Sequence, residues 1–537
     1  MRTLITINGT ATLSGRSKRA RHGALVIICA GIFSLAGARA AEPQLLTTYA
    51  RPAVPILTTV VIDGASAFAP PHLFAAYRDQ LGLPISREAA RAISNALLAL
   101  YEGAGYVRPE LQLDDSLTGR GVLRVRVYEA QVSNVVFEGD SGNYRDALER
   151  IGSRLENARP LRKDDVPEAL RAMRQIAGLA VTASTRRDPQ LRNAYELVVQ
   201  SDFSPIDGAI RMNNRGTEQV GPAFLLGQVF ANGLLGHEEK IGLIFAAATD
   251  HEEYLGGGLF FDTPLGGDGT RGNALLFRSH SAPNEAPVNF DDEYTRERAT
   301  LRVSRPLRQQ SAFSLNVSAA FDADDFTIDR SGVAIREERL RIIETALRGT
   351  WRGGGGTQYS AALTLRKGLD AFGSGLAAHD LIDDPRRADF LLTQLQGSAY
   401  RRFADRWSLR FDGFAQHTAY VLPDSERFKI GGDRLGRGFE VAEIAGDRGL
   451  GGKLELRRDL MNTESLIGRL SAYGFYDIGA AWKQDLPGRE SAATAGTGLA
   501  IQGAALTGYL EMAKPLTGAD VEGKHKTSVF AELSYRF

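Results

Sequence analysis

The chain has 537 residues, enough for two or more domains, and it carries 64 basic and 64 acidic residues. Six of the basic residues lie in the first 40 positions, which contain no acidic residue, so the remainder is mildly acidic with 58 basic (64 minus 6) against 64 acidic residues. This balance argues against a nucleic-acid partner. The single cysteine, Cys29, lies in the same 40 positions, so the rest of the chain has neither disulfides nor thiolate chemistry.

Residues 1–40 are predicted to be a secretory signal peptide. A basic segment at 18–21 precedes an apolar run at 24–36, and Ala38-Arg39-Ala40 fits the small-x-small cleavage pattern. The alternative is an N-terminal membrane anchor, but the run is shorter than the roughly 20 residues that a membrane helix needs. No later segment approaches that length, so a membrane location requires a closed barrel. Residues 41–56 form a short lead after the cleavage site.

Two segments, 57–129 and 130–203, share one order of elements: strand, helix, helix, strand, strand. In the first, apolar residues recur at helical spacing, including Ile93, Leu97 and Leu100. The predicted elements of the first are a strand at 57–62, helices at 70–81 and 86–104, and strands at 107–113 and 121–127. Those of the second are a strand at 130–138, helices at 143–155 and 163–176, and strands at 180–186 and 194–200. The repeat predicts a tandem pair of small α+β modules.

From 204 to 537 the pattern alternates with a period of two. Segments such as 407–413, 450–457 and 529–537 place apolar residues on one face and residues of both charges on the other. A wet lumen explains the charged face, so we predict a membrane β-barrel of about sixteen antiparallel strands after the two α+β modules. Two stretches are too long for hairpin turns, 322–337 and 420–448, and are predicted to be extracellular loops.

The second of these loops contains the tripeptide Arg437-Gly438-Phe439 in a glycine-rich setting. About forty residues later, the strand 470–482 carries Asp477 and Gly479 on the parity that suits the lumen. An arginine fork suits a carboxylate, so Arg437 and Asp477 are expected to pair inside the barrel. This pairing predicts a loop that folds inward and gates a channel, and a charge swap of the pair is expected to restore function in part. The alternative is that the pair only braces the barrel during folding.

These motifs, in this order, resemble the two-partner secretion transporters of the TpsB family, the haemolysin secretion/activation proteins. The two repeats resemble POTRA domains, with 101–107 similar to a helix-to-strand turn of the first. The loop 432–439 is similar to the signature of the family's sixth extracellular loop, and 475–479 to its lumenal-wall motif. The family commonly has a β-branched residue where this chain has Gly436. Many members have an N-terminal plug helix, which the three prolines of 42–55 disfavour here.

The resemblance implies an outer-membrane transporter with periplasmic POTRA domains. Its expected partners are a secreted TpsA-type protein, outer-membrane lipid and the barrel-assembly machinery, which would recognise the terminal Phe537. The secreted protein is expected to add to a POTRA strand edge near Val107 and Leu113. The alternative is that the modules only dock the barrel to other machinery.

Other functions are weighed against the same residues. A barrel-assembly factor of the same superfamily usually has more POTRA repeats than this chain can hold, and a passive porin has no use for them. The chain contains no HExxH and no Walker A motif, so we expect neither an enzyme nor a protein that binds a cofactor or metal.

Overall fold

The computed structural model describes residues 55–217, 220–283, 292–310, 312–378, 384–463, 467–518 and 526–537. The predicted signal peptide lies outside these residues. So do residues 41–54, which include most of the segment whose prolines disfavour a plug helix. Within the described part of the chain, no helix has both the length and the apolar character to cross a membrane.

The first module is a three-stranded sheet covered by helices. Its elements are β1 Thr59–Asp63, α1 Pro70–Ala75, α2 Arg87–Gly103, β2 Glu110–Asp114 and β3 Val122–Tyr128. The sheet order is β1-β3-β2, with β1 parallel and β2 antiparallel to β3. The Ser86 side chain caps α2 by accepting a hydrogen bond from the Ala89 N–H at 3.1 Å. Because Ile93, Leu97 and Tyr101 are four residues apart, they share one face of α2 and are fully buried.

The second module repeats this arrangement. Its elements are β4 Gln131–Gly139, α3 Arg145–Asn157, α4 Asp165–Arg174, β5 Leu179–Arg187 and β6 Ala194–Phe203. The order β4-β6-β5, with β4 parallel to β6, matches that of the first module strand for strand. Leu148, Met173 and Val199 are fully buried in its core. The shared topology explains why the sequence pattern repeats.

The remaining strands form one closed antiparallel barrel with a small sheet inserted in a connection. The barrel strands before the insertion are β7 Ile206–Asn213, β8 Phe224–Asn232, β9 Lys240–Ala248, β10 Leu255–Pro264, β11 Arg271–Ser281, β12 Asp292–Gln309, β13 Phe313–Arg330, β14 Val333–Arg352, β15 Thr357–Gly368, β16 Gly375–Ala378, β17 Leu391–Ala404 and β18 Trp407–Thr418. The inserted pair is β19 Phe428–Ile430 and β20 Ile444–Gly446. The barrel strands after it are β21 Arg448–Asn462, β22 Arg469–Trp482, β23 Glu490–Gln502, β24 Leu506–Pro515 and β25 Ser528–Arg536.

The barrel closes through the pairing of β25 with β7, which is five residue pairs long. The described residues supply seventeen barrel strands, but β15 and β16 both lie beside β14, along different parts of its length. They therefore share one place in the wall, and the barrel has sixteen positions (17 minus 1). The predicted strand number is confirmed.

Side chains alternate between the two faces of the barrel wall. The apolar ones face outward and the charged ones face inward, which is the reverse of a soluble protein. Large apolar residues such as Leu454, Ile478 and Leu510 are exposed on the outer face. Charged residues such as Asp322 and Asp477 are buried on the inner face, at 1% and 0% exposure. An apolar outer face and a polar interior are what a barrel surrounded by lipid requires.

The prediction of a loop at 322–337 is wrong. These residues belong to β13 and β14, which pair along 18 residues and turn at Ser331 and Gly332, both with positive φ (50° and 82°). The charges that suggested a loop are matched across strands instead: Arg296 donates two hydrogen bonds to Asp324, at 2.8 and 2.6 Å. Charged residues are compatible with strands that carry their charge on a polar face.

Candidate gating loop in the barrel lumen

Residues 419–447 connect β18 to β21, two strands that pair directly with each other. The connection folds back on itself through the β19–β20 ladder. We call 420–430 and 444–447 the base of this loop, and 431–443 its tip. Apolar side chains of the loop pack on the inner wall in one buried cluster, which consists of Phe428, Ile430, Leu435, Phe439, Ala481 and Ala492. The loop therefore lies inside the barrel, and Phe439 contacts the inner wall.

Arg437 at the tip is bound to Asp477 on β22 by three hydrogen bonds. The guanidinium Nε and Nη2 donate to the two carboxylate oxygens at 3.0 and 2.8 Å, and the Arg437 backbone N–H donates at 3.2 Å. Arg437 is 5% exposed and Asp477 is not exposed at all. This two-pronged, charge-assisted contact is the strongest kind of hydrogen bond that an arginine makes.

Arg437 also contacts three wall residues that the sequence motifs do not indicate as its partners. Its Nη1 lies 3.1 Å from Glu511 on β24 and 3.4 Å from Glu455 on β21. The guanidinium carbon sits 3.5 Å from the centre of the Phe475 ring, a close cation–π contact. One arginine is thus surrounded by three carboxylates and one aromatic face. Strand parity places Glu511 and Glu455 in the lumen, but parity does not tell which lumenal residues meet the loop.

Glycines on both sides of the contact allow the tip to approach the wall closely. Gly436 has a φ of +82°, and a Cβ there would lie 2.8 Å from the Ile430 Cγ2 atom. The departure from a β-branched residue at this position therefore has a local cause, since such a residue would be strained and crowded. Gly479, next to Asp477 on the same face, leaves room for Ile430 and Leu435, whose side chains would lie about 3.0 and 3.1 Å from an added Cβ. A Cβ on Gly438 would likewise lie 2.9 Å from the backbone nitrogen of Pro515.

The cluster around Arg437 extends to the seam where the barrel closes. Glu511 also accepts a hydrogen bond from Arg215, which follows the first barrel strand, at 2.7 Å, and one from the Tyr473 hydroxyl at 3.0 Å. The Arg215 guanidinium stacks 4.2 Å above the Phe530 ring of the last strand. A single buried carboxylate therefore contacts both the loop tip and the first hairpin.

Phe537, the other residue with an expected role, lies at the same seam. Its backbone N–H and C=O both pair with Gly208 on β7, at 3.1 and 3.0 Å, and its ring stacks on Tyr535. The side chain is 51% exposed.

Of the two residues expected near a cargo-binding edge, Leu113 lies on an edge strand, whereas Val107 contacts the second module. Leu113 lies on β2, an edge strand whose pairing within the described residues is with β3, and it is 38% exposed. Val107 precedes β2, and its N–H donates to the Leu161 carbonyl of the second module at 2.9 Å. Val107 is therefore part of the contact between the modules, and the edge of the first sheet, as its strands pair among the described residues, runs along Glu110–Asp114.

Comparisons with known proteins agree with this architecture. The family model described as haemolysin secretion/activation protein ShlB/FhaC/HecB matches residues 196–503, which is 308 of the 537 residues. CdiB from Escherichia coli superposes with a TM-score of 0.75 at 18% identity, covering 92% of this chain and 93% of that one. CdiB from Acinetobacter baumannii gives a TM-score of 0.64 at 12% identity over 90% of both chains. BamA from Haemophilus ducreyi lacking POTRA domains 1-3 gives 0.51 at 14% identity, over 90% and 100%.

At these identities the solved structures establish the fold, which is that of a POTRA-containing barrel. No curated protein matches the sequence. The family model, in contrast, covers more than half of the chain. The chain therefore belongs to the ShlB/FhaC/HecB family of haemolysin secretion/activation proteins, transporters that form an outer-membrane β-barrel with POTRA domains in the periplasm.

Proposed function

We propose that this barrel exports one large, unfolded partner protein of the TpsA type from the periplasm to the cell surface, and that the loop 419–447 is its gate. The observation that carries the proposal is the position of Arg437. It lies at the tip of a loop inside the lumen and is held by Asp477, Glu455 and Glu511 from three different strands. A loop held there obstructs the path through the barrel and must move for a chain to pass.

The strength of this contact suits a gate. Removing one partner of a buried, hydrogen-bonded ion pair costs on the order of 3–5 kcal/mol, and contact with water reduces that cost. Such a contact keeps the lumen closed in the resting state. It also breaks when an entering polypeptide offers competing hydrogen bonds and carboxylates.

The first module is proposed to receive the partner. An extended segment can add to the β2 edge through main-chain hydrogen bonds, with side chains such as Leu113 contributing apolar contact. The charges beside this edge come from both modules, since Arg187 of the second module pairs with Glu110 at 3.0 Å. An added strand would thus contact both modules. No cofactor or chemical step enters this proposal.

Phe537 is proposed to mark the barrel for the assembly machinery. The exposed ring at the end of the last strand is accessible to another protein before the barrel closes. Replacing Phe537 with Ser is expected to lower the amount of assembled barrel while leaving the export rate per barrel unchanged.

Arg437→Ala tests the gate. The variant is expected to assemble with an open lumen but to lower export of the partner by more than about 100-fold, about 2.7 kcal/mol, because the tip no longer returns to Asp477 after each transported chain. The partner is first identified as the secreted protein that disappears when this chain is deleted. A general loss of outer-membrane barrels upon deletion would instead indicate an assembly factor, and normal secretion by the variant would contradict the gate.

The geometry also revises the expected effect of a charge swap. Combining Arg437→Asp with Asp477→Arg leaves the new aspartate facing Glu455 and Glu511. Like charges at this distance repel, so the double variant is expected to export no better than Arg437→Ala. Export near the natural rate would show that Glu455 and Glu511 contribute little to the site.

A further inference from the structure

A second arginine cluster fastens the base of the loop to another part of the wall. Arg366 on β15 donates two hydrogen bonds to Glu426, from Nε to Oε2 at 2.9 Å and from Nη2 to Oε1 at 3.1 Å. Both residues are 8% exposed. Arg366 also donates to Glu344 on β14 at 2.5 Å and lies 3.3 Å from Asp322 on β13. This site has the same composition as the one at the tip: one buried arginine among three carboxylates.

The two arginine clusters lie on different parts of the barrel wall. Arg366 on β15 and Asp477 on β22 are four positions apart in the closed order of sixteen, and the outermost members, Asp322 on β13 and Glu511 on β24, are eight positions apart. The loop is therefore held at two separate places on the wall, one for its base and one for its tip.

The base has more attachments than the tip. Asp424 pairs with Arg336 on β14 at 2.8 Å, and the backbone N–H of Leu422 donates to Asp447 at 2.8 Å. Ser425 donates to Glu338, again on β14, at 3.2 Å. Three residue pairs of the β19–β20 ladder tie the two halves of the base together.

Beyond the contacts of Arg437, the polar attachments of the tip to the wall are few among the described residues. The Gly438 N–H lies 3.4 Å from the Thr494 hydroxyl, and Lys453 donates to the Asp433 carbonyl at 2.8 Å. Loss of the Arg437 contact therefore removes most of the polar attachment of the tip, which is then held mainly by the packing of Leu435 and Phe439, while the base stays attached.

A pair of glycines lies where the base meets the tip. Gly431 and Gly432 have φ values of +119° and +86°, conformations in which a side chain would be strained. A Cβ on Gly431 would lie 1.8 Å from the Glu440 carbonyl oxygen. A few residues of this kind can absorb the backbone rotation of a hinge.

We propose that Arg366 is a positioning residue: through Glu426 it keeps the base on the β13–β15 wall while the tip swings about Gly431 and Gly432. This inference rests on the proposed gating function. Because the Arg366–Glu426 contact holds the base in place, only the tip moves, and it moves along one path. The loop then opens as a hinged flap, and the tip returns to Asp477 after transport.

Glu426→Gln is the sharpest variant because it leaves Arg366 paired with Glu344 and Asp322. Arg366→Ala would instead remove the cation that the three carboxylates share: Glu344 would keep Arg302 and Asp322 would keep Arg298, but the buried Glu426 would lose its one salt bridge among the described residues, which endangers folding. The matched control is Glu440→Gln, which removes the same charge from an exposed residue of the same loop. Arg366→Lys is a second test, since it keeps the charge beside Glu344 and loses the two-pronged contact with Glu426.

The measurement is the KCl conductance of the purified full-length protein in a planar lipid bilayer. Arg437→Ala is expected to open to one defined level. Adding Glu426→Gln is expected to spread the openings over several levels and to raise the rate of transitions between them about tenfold, the factor for about 1.4 kcal/mol. Arg366→Lys on the Arg437→Ala background is expected to change the record in the same direction.

Two results would overturn the inference. One is a Glu426→Gln, Arg437→Ala record identical to that of Arg437→Ala alone, and the other is an equal effect of Glu440→Gln. A closed Arg437→Ala pore would instead contradict the gating function on which the inference rests. The two failures are therefore distinguishable.

Discussion

In the first module the side chains withdrawn from water include Ile93, Leu97 and Tyr101, whereas in the barrel they include Asp322, Arg437 and Asp477. The module is stabilised by an apolar core and loses its fold when that core is opened. The barrel is stabilised by a continuous main-chain ladder and by an apolar outer face that contacts lipid. Its interior is thus available for charged contacts that can break and form again. The difference teaches where a moving part can be placed in this chain.

The largest expected effect is a loss of stability in the first module. Leu97→Ala removes a fully buried side chain from α2 and is expected to cost about 2–5 kcal/mol of module stability. The measurement is protease resistance of the first module in the full-length protein, with Leu83→Ala, at a leucine that is 48% exposed, as the control. The KCl conductance should stay unchanged, and a changed conductance would show that the two regions are not independent.

The outer face of the barrel gives the next largest effect. Leu454 is exposed on the outer face near the middle of β21, so Leu454→Arg is expected to cost about 2–4 kcal/mol, the range for an arginine facing lipid at the bilayer midplane. Thermal unfolding, followed by heat-dependent gel migration, measures this loss. Leu454→Met keeps the volume and apolar character and should unfold at nearly the same temperature. Equal stability of the two variants would mean that the outer face is not what holds the barrel in the membrane.

Two adjacent glycines compare the inner and outer faces directly. A Cβ on Gly451 would lie 2.3 Å from the Leu435 Cδ2 atom at the loop tip, whereas a Cβ on Gly452 would lie 3.4 Å from the Phe411 ring. Gly451→Ala is therefore expected to push the tip off the wall at a cost of about 1–3 kcal/mol and to raise the conductance. Gly452→Ala should leave the conductance as it is. Equal effects of the two changes would remove the evidence that the tip is seated against β21.

Much of the architecture could be predicted because alternation reports the face of each strand directly. The parity of 470–482 placed Asp477 in the lumen, and the structure buries it there. What alternation cannot supply is which lumenal residues meet across the barrel. Glu455 and Glu511 follow Arg437 in the chain by 18 and 74 residues, and the folded loop brings all three together. The Arg366–Glu426 contact was missed for the same reason.

The length of β13 and β14 could not be predicted from charge content. Asp322, Asp324 and Asp325 resemble a loop signal when taken alone. In the folded chain they are strand residues whose partners include Thr300, Arg296 and Arg341. Those partners become neighbours when the strands pair, so the sequence pattern shows the charge without showing its neutralisation.

The most direct test of the gate is a reversible cross-link between the tip and the wall. The chain has one cysteine, Cys29, within the predicted signal peptide, so engineered pairs are unambiguous. Leu435→Cys combined with Gly451→Cys places two thiols where the Leu435 side chain now meets Gly451, and the controls are the reduced double variant and Leu435→Cys alone. We expect the oxidised double variant to have a closed pore and to export no partner, and reductant to restore export. Export at the natural rate with the disulfide formed would contradict the proposal that this loop must leave the wall.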